Sequence, residues 1–306
     1  MVKTVASVSI GIVAISFASI FIRFCDDVPS IMIATYRLTL SSIILLIIAK
    51  SKGIRLSSYK KRHILMGILG GFFLSLHFSF WISSLKFTSV ASSVVLVTTN
   101  PIFVGVFSYL LFKEKQPVEL ILGIILSFLG SVILAVGDSS FQGLTAQNPL
   151  FLLGDILALL GAIMASGYLM VGSKLREEMD ILPYISMVYT FSALFLLIAS
   201  LSLGVSFTGY KQSSYFYMVL LAIVPQLIGH TAFNWVLKHL KASMVAVTIL
   251  GEPIGASILA YIIFQETIQS CQSVGIILIF LAIIIASRKG GKSTCGKVLW
   301  RELKNL

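Results

Sequence analysis

The sequence predicts an all-α integral membrane protein whose ten transmembrane helices form two inverted five-helix repeats. Three observations lead to this fold class: an apolar composition, a pattern that recurs after 152 residues, and an asymmetry of basic charge between alternate loops. Of the 306 residues, 57% are hydrophobic and 11% are charged, whereas about a quarter of the residues of soluble domains are charged. The composition therefore indicates a chain that is dissolved largely in lipid.

Ten apolar stretches, each bounded by charged or turn-forming residues, are long enough to cross a membrane. A spanning helix needs about 20 residues and a spanning strand only about 10, so runs of this length favour helices. The first stretch is followed by Cys25-Asp26-Asp27, which is not a small-residue cleavage site, so we expect it to remain as a helix. The predicted spans are residues 5–24, 29–49, 63–85, 89–112, 118–137, 150–173, 182–203, 215–237, 242–264 and 270–287.

Basic residues are concentrated in every second loop, and this pattern predicts the orientation of the chain. With the N-terminus in the cytoplasm, 19 of the 23 Lys and Arg residues fall on that side, and only Lys86 and Lys211 fall outside. Because loops rich in basic residues stay in the cytoplasm, both termini are predicted to be cytoplasmic. The net charge of +11 is attributed to this topology, and nucleic acid is not expected as a partner.

Three residues of the first half recur in the second half at one offset. Pro101, Glu114 and Gly123 are followed 152 residues later by Pro253, Glu266 and Gly275. Each half contains five spans, an odd number, so the second half must enter the membrane in the opposite sense. The predicted organisation is a first repeat over residues 1–137, an outer linker over 138–149, a second repeat over 150–287 and a basic cytoplasmic tail over 288–306.

The blocks around these anchors resemble the paired repeats of EamA-like transporters in the drug/metabolite transporter superfamily. They read SLKFTSVASSVVLVTTNPIFVGVFSYLLFKEK (84–115) and VLKHLKASMVAVTILGEPIGASILAYIIFQET (236–267). Each block has a Leu-Lys turn, an apolar helix with a central proline and a glutamate at the helix end. The resemblance covers essentially residues 5–287. It implies a carrier or exchanger in the plasma membrane, the bacterial inner membrane in this family, for amino acids, nucleosides, other metabolites or cationic drugs.

Polar side chains inside the predicted spans are candidates for a substrate pathway, since such groups are costly in lipid unless they face protein or water. The eighth span carries Gln226, His230 and Asn234 at a spacing of four residues, which predicts a single helical face. The third span carries His77 and Trp81 at the same spacing. We interpret these residues as the lining of a central aqueous cavity. The alternative is that they only join helices by hydrogen bonds.

Glu252 is the only acidic residue deep in a predicted span, and its counterpart in the first repeat is Asn100. Both precede a proline, which frees a backbone carbonyl and loosens the helix. A carboxyl group at this depth can serve in proton coupling or substrate binding, and the alternative is a structural ion pair with Arg37. Arg37 could instead bind a substrate carboxylate or phosphate through its planar fork. Tyr168, deep in the sixth span, is a further candidate for the substrate pathway.

Sequence signatures of catalysis are not found. The chain contains no zinc-binding His-x-x-x-His spacing, no nucleophile elbow and no phosphate-binding loop. The three cysteines show no paired spacing. An enzyme is therefore not expected, and neither a cofactor nor a metal ion is predicted.

The predicted function is a secondary active transporter that works by alternating access, with protons as a candidate coupling ion. It would move a small metabolite such as an amino acid or a nucleoside. The alternatives are an exporter of drugs and aromatic cations and, less favoured, a membrane-embedded enzyme. The predicted partners are the lipid bilayer and a small-molecule substrate, and the chain is expected to be a monomer or a weak homodimer.

Overall fold

The computed structural model describes residues 2–54, 59–88, 90–113, 115–136, 149–265 and 270–287. These residues form helices joined by short loops, and they contain no β-strand. The predicted linker before residue 149, the predicted tail, and the anchors Glu114 and Glu266 lie outside the described residues.

The described part of the first half contains six helices. They are α1 (Val2–Arg23), α2 (Ser30–Ser51), α3 (Lys61–Ser84), α4 (Val90–Val97), α5 (Asn100–Phe112) and α6 (Val118–Val136). In the second half, a π-helical segment (Ala222–His230) lies between two short α-helices. The α-helices described there are α7 (Pro149–Glu178), α8 (Ile181–Ser202), α9 (Gln212–Leu221), α10 (Thr231–Val236), α11 (Ala242–Ile249), α12 (Gly251–Phe264) and α13 (Ser270–Ser287).

Seven helical stretches among the described residues are long and apolar enough to cross a membrane, judged by length and composition. They are α1, α2, α3, α7, α8, the stretch from α9 to α10, and the stretch from α11 to α12. Shorter apolar helices lie within α5, α6 and α13. Large apolar side chains such as Ile47, Leu111 and Ile262 are exposed on the helices, as expected where lipid is the solvent.

The helix boundaries of the two halves recur along the chain. Helices α4 and α11 begin at residues 90 and 242, and helices α6 and α13 begin at residues 118 and 270, so both pairs are 152 residues apart. The backbone geometry recurs as well. Lys113, the residue directly after α5, has a φ of 54°. Gln265, 152 residues later and directly after α12, has a φ of 57°. The repeat seen in the sequence is therefore also a repeat of local structure.

The fourth and ninth predicted spans, 89–112 and 242–264, are each divided near the middle rather than continuous. After the division, α5 begins one residue before Pro101 and α12 begins two residues before Pro253. Proline has no amide hydrogen to donate to the carbonyl group four residues earlier. The carbonyl groups of Val97 and Ile249, which are 152 residues apart, therefore lose their usual helical partner.

The eighth predicted span is irregular for a related reason. Helix α9 passes into the π-helical segment, which contains Pro225, before the chain continues as α10. A π-helical turn is wider than an α-helical turn and accommodates additional residues. In agreement, the stretch from Gln212 to Val236 has 25 residues, while the corresponding helix α3 has 24. A side-chain alignment that assumes regular α-helix does not hold across this segment.

Helices of the two halves pack against each other. Helix α6 contacts α13, helix α1 contacts α12 and the π-helical segment, and helix α3 contacts α7. A Cβ atom on Gly123 would lie 2.7 Å from the Cβ atom of Ala286, and one on Gly130 would lie 2.9 Å from the carbonyl oxygen of Gly275. Such close backbone approach is how small residues stabilise helix pairs in lipid. The repeat anchors Gly123 and Gly275 both serve this contact.

Candidate functional site

A small cavity lies at the centre of the helices, between the two halves. Its volume is about 50 Å³, and since one water molecule needs about 10–15 Å³ of such volume, it has room for a few. Its apolar wall includes Ile15, Ala18 and Phe233. Eight of the nine residues singled out in the sequence line it, namely Arg37, His77, Trp81, Asn100, Tyr168, His230, Asn234 and Glu252.

Arg37 is the only Lys or Arg residue among those that line this cavity. It is fully buried, and its guanidinium carbon lies 4.0 Å from the centre of the Phe78 ring. Its Nε donates a 2.8 Å hydrogen bond to Oε1 of Gln226. The terminal nitrogens Nη1 and Nη2 are buried without a hydrogen-bond partner among the described residues. The guanidinium is thus held at Nε and by the Phe78 ring, whereas Nη1 and Nη2, which form its fork, are unpaired among the described residues.

Gln226 is buried but does not line the cavity. The expectation that Gln226, His230 and Asn234 share one face assumes a regular α-helix, and the structure contradicts it for Gln226. Gln226 lies in the π-helical segment, whose turns are wider than those of an α-helix, so the face expected for a regular α-helix does not carry over to it. His230 and Asn234 line the cavity, while Gln226 holds Arg37 in place.

His77 and Trp81 form an aromatic wall. Their rings are parallel to within 2°, with centroids 6.1 Å apart. Nδ1 of His77 lies 2.9 Å from the carbonyl oxygen of Gly161 on α7. Since a carbonyl oxygen only accepts, Nδ1 carries the hydrogen and Nε2 is left as an acceptor in the neutral ring. Nε1 of Trp81 is buried without a partner among the described residues. The wall therefore combines a helix contact with an unpaired donor.

Tyr168 and Asn234 belong to a chain of hydrogen bonds. The Tyr168 hydroxyl donates to Oδ1 of Asn234 over 2.7 Å, and Nδ2 of Asn234 donates to the Tyr189 hydroxyl over 3.2 Å. The backbone carbonyl of Asn234 accepts a 3.0 Å hydrogen bond from Nε of Arg176. These contacts join α7, α8 and α10, so Tyr168 and Asn234 connect helices and line the cavity at once.

Arg176 lies within a helix where the sequence predicts a loop. The sixth span is predicted to end at residue 173, whereas α7 continues to Glu178. Arg176 is buried in the structure. It donates from Nη1 to the backbone carbonyl of Met179 as well as from Nε to Asn234. A single arginine near a predicted helix end carries no signal that separates this buried position from a solvated one.

Asn100 and Glu252 lie in the first turns of α5 and α12, where the interrupted spans resume. Both line the cavity. No ion pair within 4 Å joins Glu252 and Arg37, although both are described and face the same space. The N-terminus of a helix favours a negative charge, which gives the Glu252 carboxylate a structural source of stabilisation. Within the described ranges, no group of three His, Cys, Asp or Glu residues could hold a metal ion.

Polar contacts on the predicted outer side join the α1–α2 loop to the α8–α9 loop. Nζ of Lys211 lies 2.9 Å from Oδ1 of Asp26, and the Lys211 amide donates to Oδ2 of Asp27 over 2.7 Å. The Ser214 hydroxyl donates to the other oxygen of Asp27 over 2.5 Å. The hydrogen bond from Lys211 lowers the pKa of Asp26, and those from Ser214 and the Lys211 amide lower the pKa of Asp27. We refer to these four residues as the outer cluster.

Polar contacts also join helices on the predicted cytoplasmic side. Oε2 of Glu178 lies 2.7 Å from Nε2 of His63, and Oε1 lies 3.5 Å from Nη1 of Arg62, so α7 is tied to α3. Nζ of Lys238 lies 3.4 Å from Oδ1 of Asp180. The cavity therefore lies between the outer cluster and a second set of polar contacts, which we call the inner cluster.

A larger groove of about 830 Å³ opens on the flank between α3, α5 and α7. It is lined mostly by apolar side chains, including the exposed Leu69, Leu110 and Leu111. Its remaining lining includes Arg62, Lys174, Glu177 and Glu178, at the ends of α3 and α7. The smaller central cavity, where buried polar atoms lack partners, is the better candidate for a binding site.

The fold and the cavity define a class of protein. Several long apolar helices cross the membrane, and a polar cavity lies at the junction of two related halves, as in membrane carriers. The family comparison agrees, since the EamA-like transporter family model matches residues 3–136 and again residues 152–288. The chain belongs to the EamA-like transporter family and is a multi-pass membrane transporter.

Relatives of this chain are described as transporters in several organisms. An uncharacterized transporter of Clostridium kluyveri is 26% identical over 222 residues, which cover 72% of this chain and 70% of the relative. The uncharacterized transporter YxxF of Bacillus subtilis is 24% identical over 293 residues, which cover 94% of this chain and 92% of the relative. An uncharacterized transporter of Archaeoglobus fulgidus is 22% identical over 220 residues, which cover 71% and 73%.

A protein of known crystal structure has the same fold. It superposes on this chain with a TM-score of 0.78 at 16% sequence identity, and the match covers 99% of both chains. At this identity the likeness concerns the fold alone.

Proposed function

We propose that this protein is a secondary active transporter that moves a small metabolite across the bacterial inner membrane by alternating access. The substrate would bind in the central cavity, between repeats over residues 1–137 and 150–287 that enter the membrane in opposite senses. One observation carries the proposal: eight polar or aromatic side chains, contributed by both halves, converge on a single cavity. Buried polar groups of this number are costly in lipid unless they serve a ligand, water or each other.

The recurrence of helix boundaries supports the inverted ten-helix arrangement. Seven stretches are already long enough to span, and the α4–α5 stretch, α6 and α13 would complete ten crossings. The recurring left-handed residues Lys113 and Gln265 then lie on opposite sides of the membrane, as two oppositely oriented repeats require. The excess of Lys and Arg in alternate loops supports an orientation with both termini in the cytoplasm.

The interrupted spans and the two polar clusters suggest how access would alternate. The divisions before Pro101 and Pro253 place the least restrained backbone beside the cavity. In the outer cluster the ion pair between Lys211 and Asp26 is exposed, and an exposed ion pair contributes little stability because solvent screens it. Opening the outer or the inner cluster in turn would expose the cavity to one side at a time.

The cavity lining narrows the range of substrates. One guanidinium, one carboxyl group, two amides and several aromatic rings suit a zwitterionic or weakly polar metabolite such as an amino acid or a nucleoside. Trp81, Tyr168 and Glu252 also favour a second candidate, an aromatic cation. Arg37 opposes that candidate, because it places a positive charge in the same small space. Glu252 is the residue that we propose for proton coupling, since it is the only carboxyl group in the lining.

The test is substrate counterflow in proteoliposomes. Amino acids, nucleosides and cationic drugs are first screened for thermal stabilisation of the purified full chain, where a ligand at a hundred times its Kd adds about 2.7 kcal/mol. A carrier preloaded with the unlabelled ligand transiently accumulates the labelled one. We expect this signal to be lost in His230→Ala and kept in His239→Ala, whose histidine lies outside the cavity lining. Chemical conversion of the ligand, or saturable flux without counterflow, would contradict the proposal.

A further inference from the structure

We propose that the transported molecule carries a carboxylate and that Arg37 binds this group through Nη1 and Nη2. The inference rests on the transporter function proposed above and adds the chemical group by which the substrate is recognised. The observation behind it is a buried guanidinium on a side chain that lines the central cavity, whose two terminal nitrogens have no hydrogen-bond partner among the described residues.

An unpaired arginine fork is an expensive feature in the middle of a membrane protein. Burying a charged group costs a great deal unless it is paired and hydrogen-bonded. Arg37 satisfies only Nε, through Gln226, and rests against the Phe78 ring. The nearest acidic candidate, Glu252, lines the same cavity without forming an ion pair with it. Because no described residue pairs with the fork, we assign this role to an anionic group of the substrate.

The support around Arg37 fixes the direction of its fork. The hydrogen bond from Nε and the contact with Phe78 restrain the plane of the guanidinium. The two remaining nitrogens present parallel N–H donors, which match the two oxygens of a carboxylate. A fork that is held in advance loses less conformational entropy on binding.

Two further features of the cavity favour an anion at this position. Helix α5, of 13 residues, begins at the cavity without an acidic residue in its first turn, and a helix N-terminus carries a partial positive charge that attracts anionic groups. Nε1 of Trp81 adds a buried donor without a partner in the described part of the chain. These features are independent of the Arg37 geometry.

The composition of the lining selects a carboxylate over a phosphate. Arg37 is the only Lys or Arg side chain in the lining, so a phosphate with nearly two negative charges would remain partly uncompensated. Glu252 adds a negative charge to the same space, which disfavours any second negative charge on the ligand.

The test compares an acid with its neutral isostere. Binding of 3-phenylpropionate, 3-phenylpropanamide and 2-phenylethylamine to the purified full chain is measured by thermal shift. We expect the acid to bind at least about tenfold more tightly than the amide, because hydrogen bonds to a charged group are lost in the amide. Arg37→Gln should remove the difference, and Arg37→Lys should keep part of it because the charge remains while the fork is lost.

A second variant keeps the inference testable if Arg37 variants fail to fold. Gln226→Glu replaces the side-chain amide by a carboxylate next to the guanidinium of Arg37. This internal carboxylate should weaken binding of the acid by about tenfold as well. Gln212→Glu is the matched control, since this residue is exposed at the start of α9. It should leave the preference for the acid unchanged.

The outcomes separate this inference from the transporter function. Equal binding of acid and amide, tighter binding of the amine, no binding of the acid at millimolar concentration, or a preference that survives Gln226→Glu would each overturn the carboxylate site. Counterflow of any ligand in proteoliposomes would still support the transporter. If counterflow fails for every ligand while the acid binds through Arg37, the carboxylate site stands and the transporter function falls.

Discussion

Arg37 on α2 donates a 2.8 Å hydrogen bond from Nε to Oε1 of Gln226 in the π-helical segment, and this bond joins the two halves of the chain beside the cavity. The regular α-helix predicted for residues 215–237 would have directed Gln226 along the same face as His230 and Asn234. Pro225 and the wider turns around it direct Gln226 to Arg37 instead. The irregular segment therefore shapes the binding site.

Loss of the Gln226 acceptor should destabilise the protein. Gln226→Leu leaves Nε of the buried Arg37 without a partner, and we expect a loss of about 1–3 kcal/mol in the free energy of unfolding. The measurement is thermal unfolding in detergent. Gln212→Leu, at an exposed position, should unfold like the wild type. Equal stability of the two variants would show that the hydrogen bond contributes nothing.

Replacing either central proline should stabilise the protein and slow transport. Pro101→Ala and Pro253→Ala restore an amide donor to the carbonyl groups of Val97 and Ile249, so each should raise the Tm while lowering the rate of counterflow. Pro183→Ala, in the first turn of α8, is the control because proline is well tolerated there. Unchanged transport in both central variants would remove the divisions from the mechanism.

The outer cluster should give a pH-dependent stability at acidic pH. The pKa of Asp27 is lowered in the folded protein by hydrogen bonds from Ser214 and the Lys211 amide. A lowered pKa means that the stabilisation is fully present above the unfolded value of about 4 and is lost as the pH falls through the folded value. The Tm difference between wild type and Asp27→Asn should therefore be constant from pH 5 to 8 and shrink below about pH 4. A difference that persists undiminished at the lowest pH would contradict this reading.

Close packing between α6 and α13 should be sensitive to a single methyl group. A Cβ atom on Gly130 would lie 2.9 Å from the carbonyl oxygen of Gly275, so Gly130→Ala forces the helices apart and should cost about 1–3 kcal/mol. Gly105→Ala is the matched control, because its Cβ atom would meet only Ile124, at 3.8 Å. The control should be neutral or slightly stabilising, owing to the higher helix propensity of alanine. Similar unfolding of the two variants would exclude a tight contact at Gly130.

Most of the helical spans could be predicted, because long apolar runs bounded by charge have few other interpretations in lipid. Pro101 and Pro253 also indicated where two of the spans are interrupted. The effect of Pro225 was missed, since periodicity alone does not distinguish an α-helix from a π-helical turn within it. The contacts of Arg176 could not be predicted, because its burial depends on α7 running past its expected end to meet α10.

The candidate site was predictable to a similar extent and for a similar reason. Side chains that are costly in lipid are conspicuous in an apolar sequence, and His77, Asn100 and Glu252 all line the one cavity. The hydrogen-bond partner of Arg37 was not predictable. The sequence suggested Glu252 as a partner of Arg37, whereas the structure gives Arg37 the neutral Gln226, which lies in the irregular segment.

The most direct test of the account is thiol labelling of the central cavity from each side of the membrane. Ala165 lines the cavity, so Ala165→Cys is introduced into a chain whose three native cysteines are replaced by alanine, and a membrane-impermeant maleimide is applied to cells and to inverted vesicles. Gln212→Cys, predicted to lie outside, serves as the one-sided control. Alternating access predicts that Ala165→Cys is labelled from both sides, while the control is labelled only from outside. If Ala165→Cys reacts from neither side while the control reacts, the cavity is not the transport pathway.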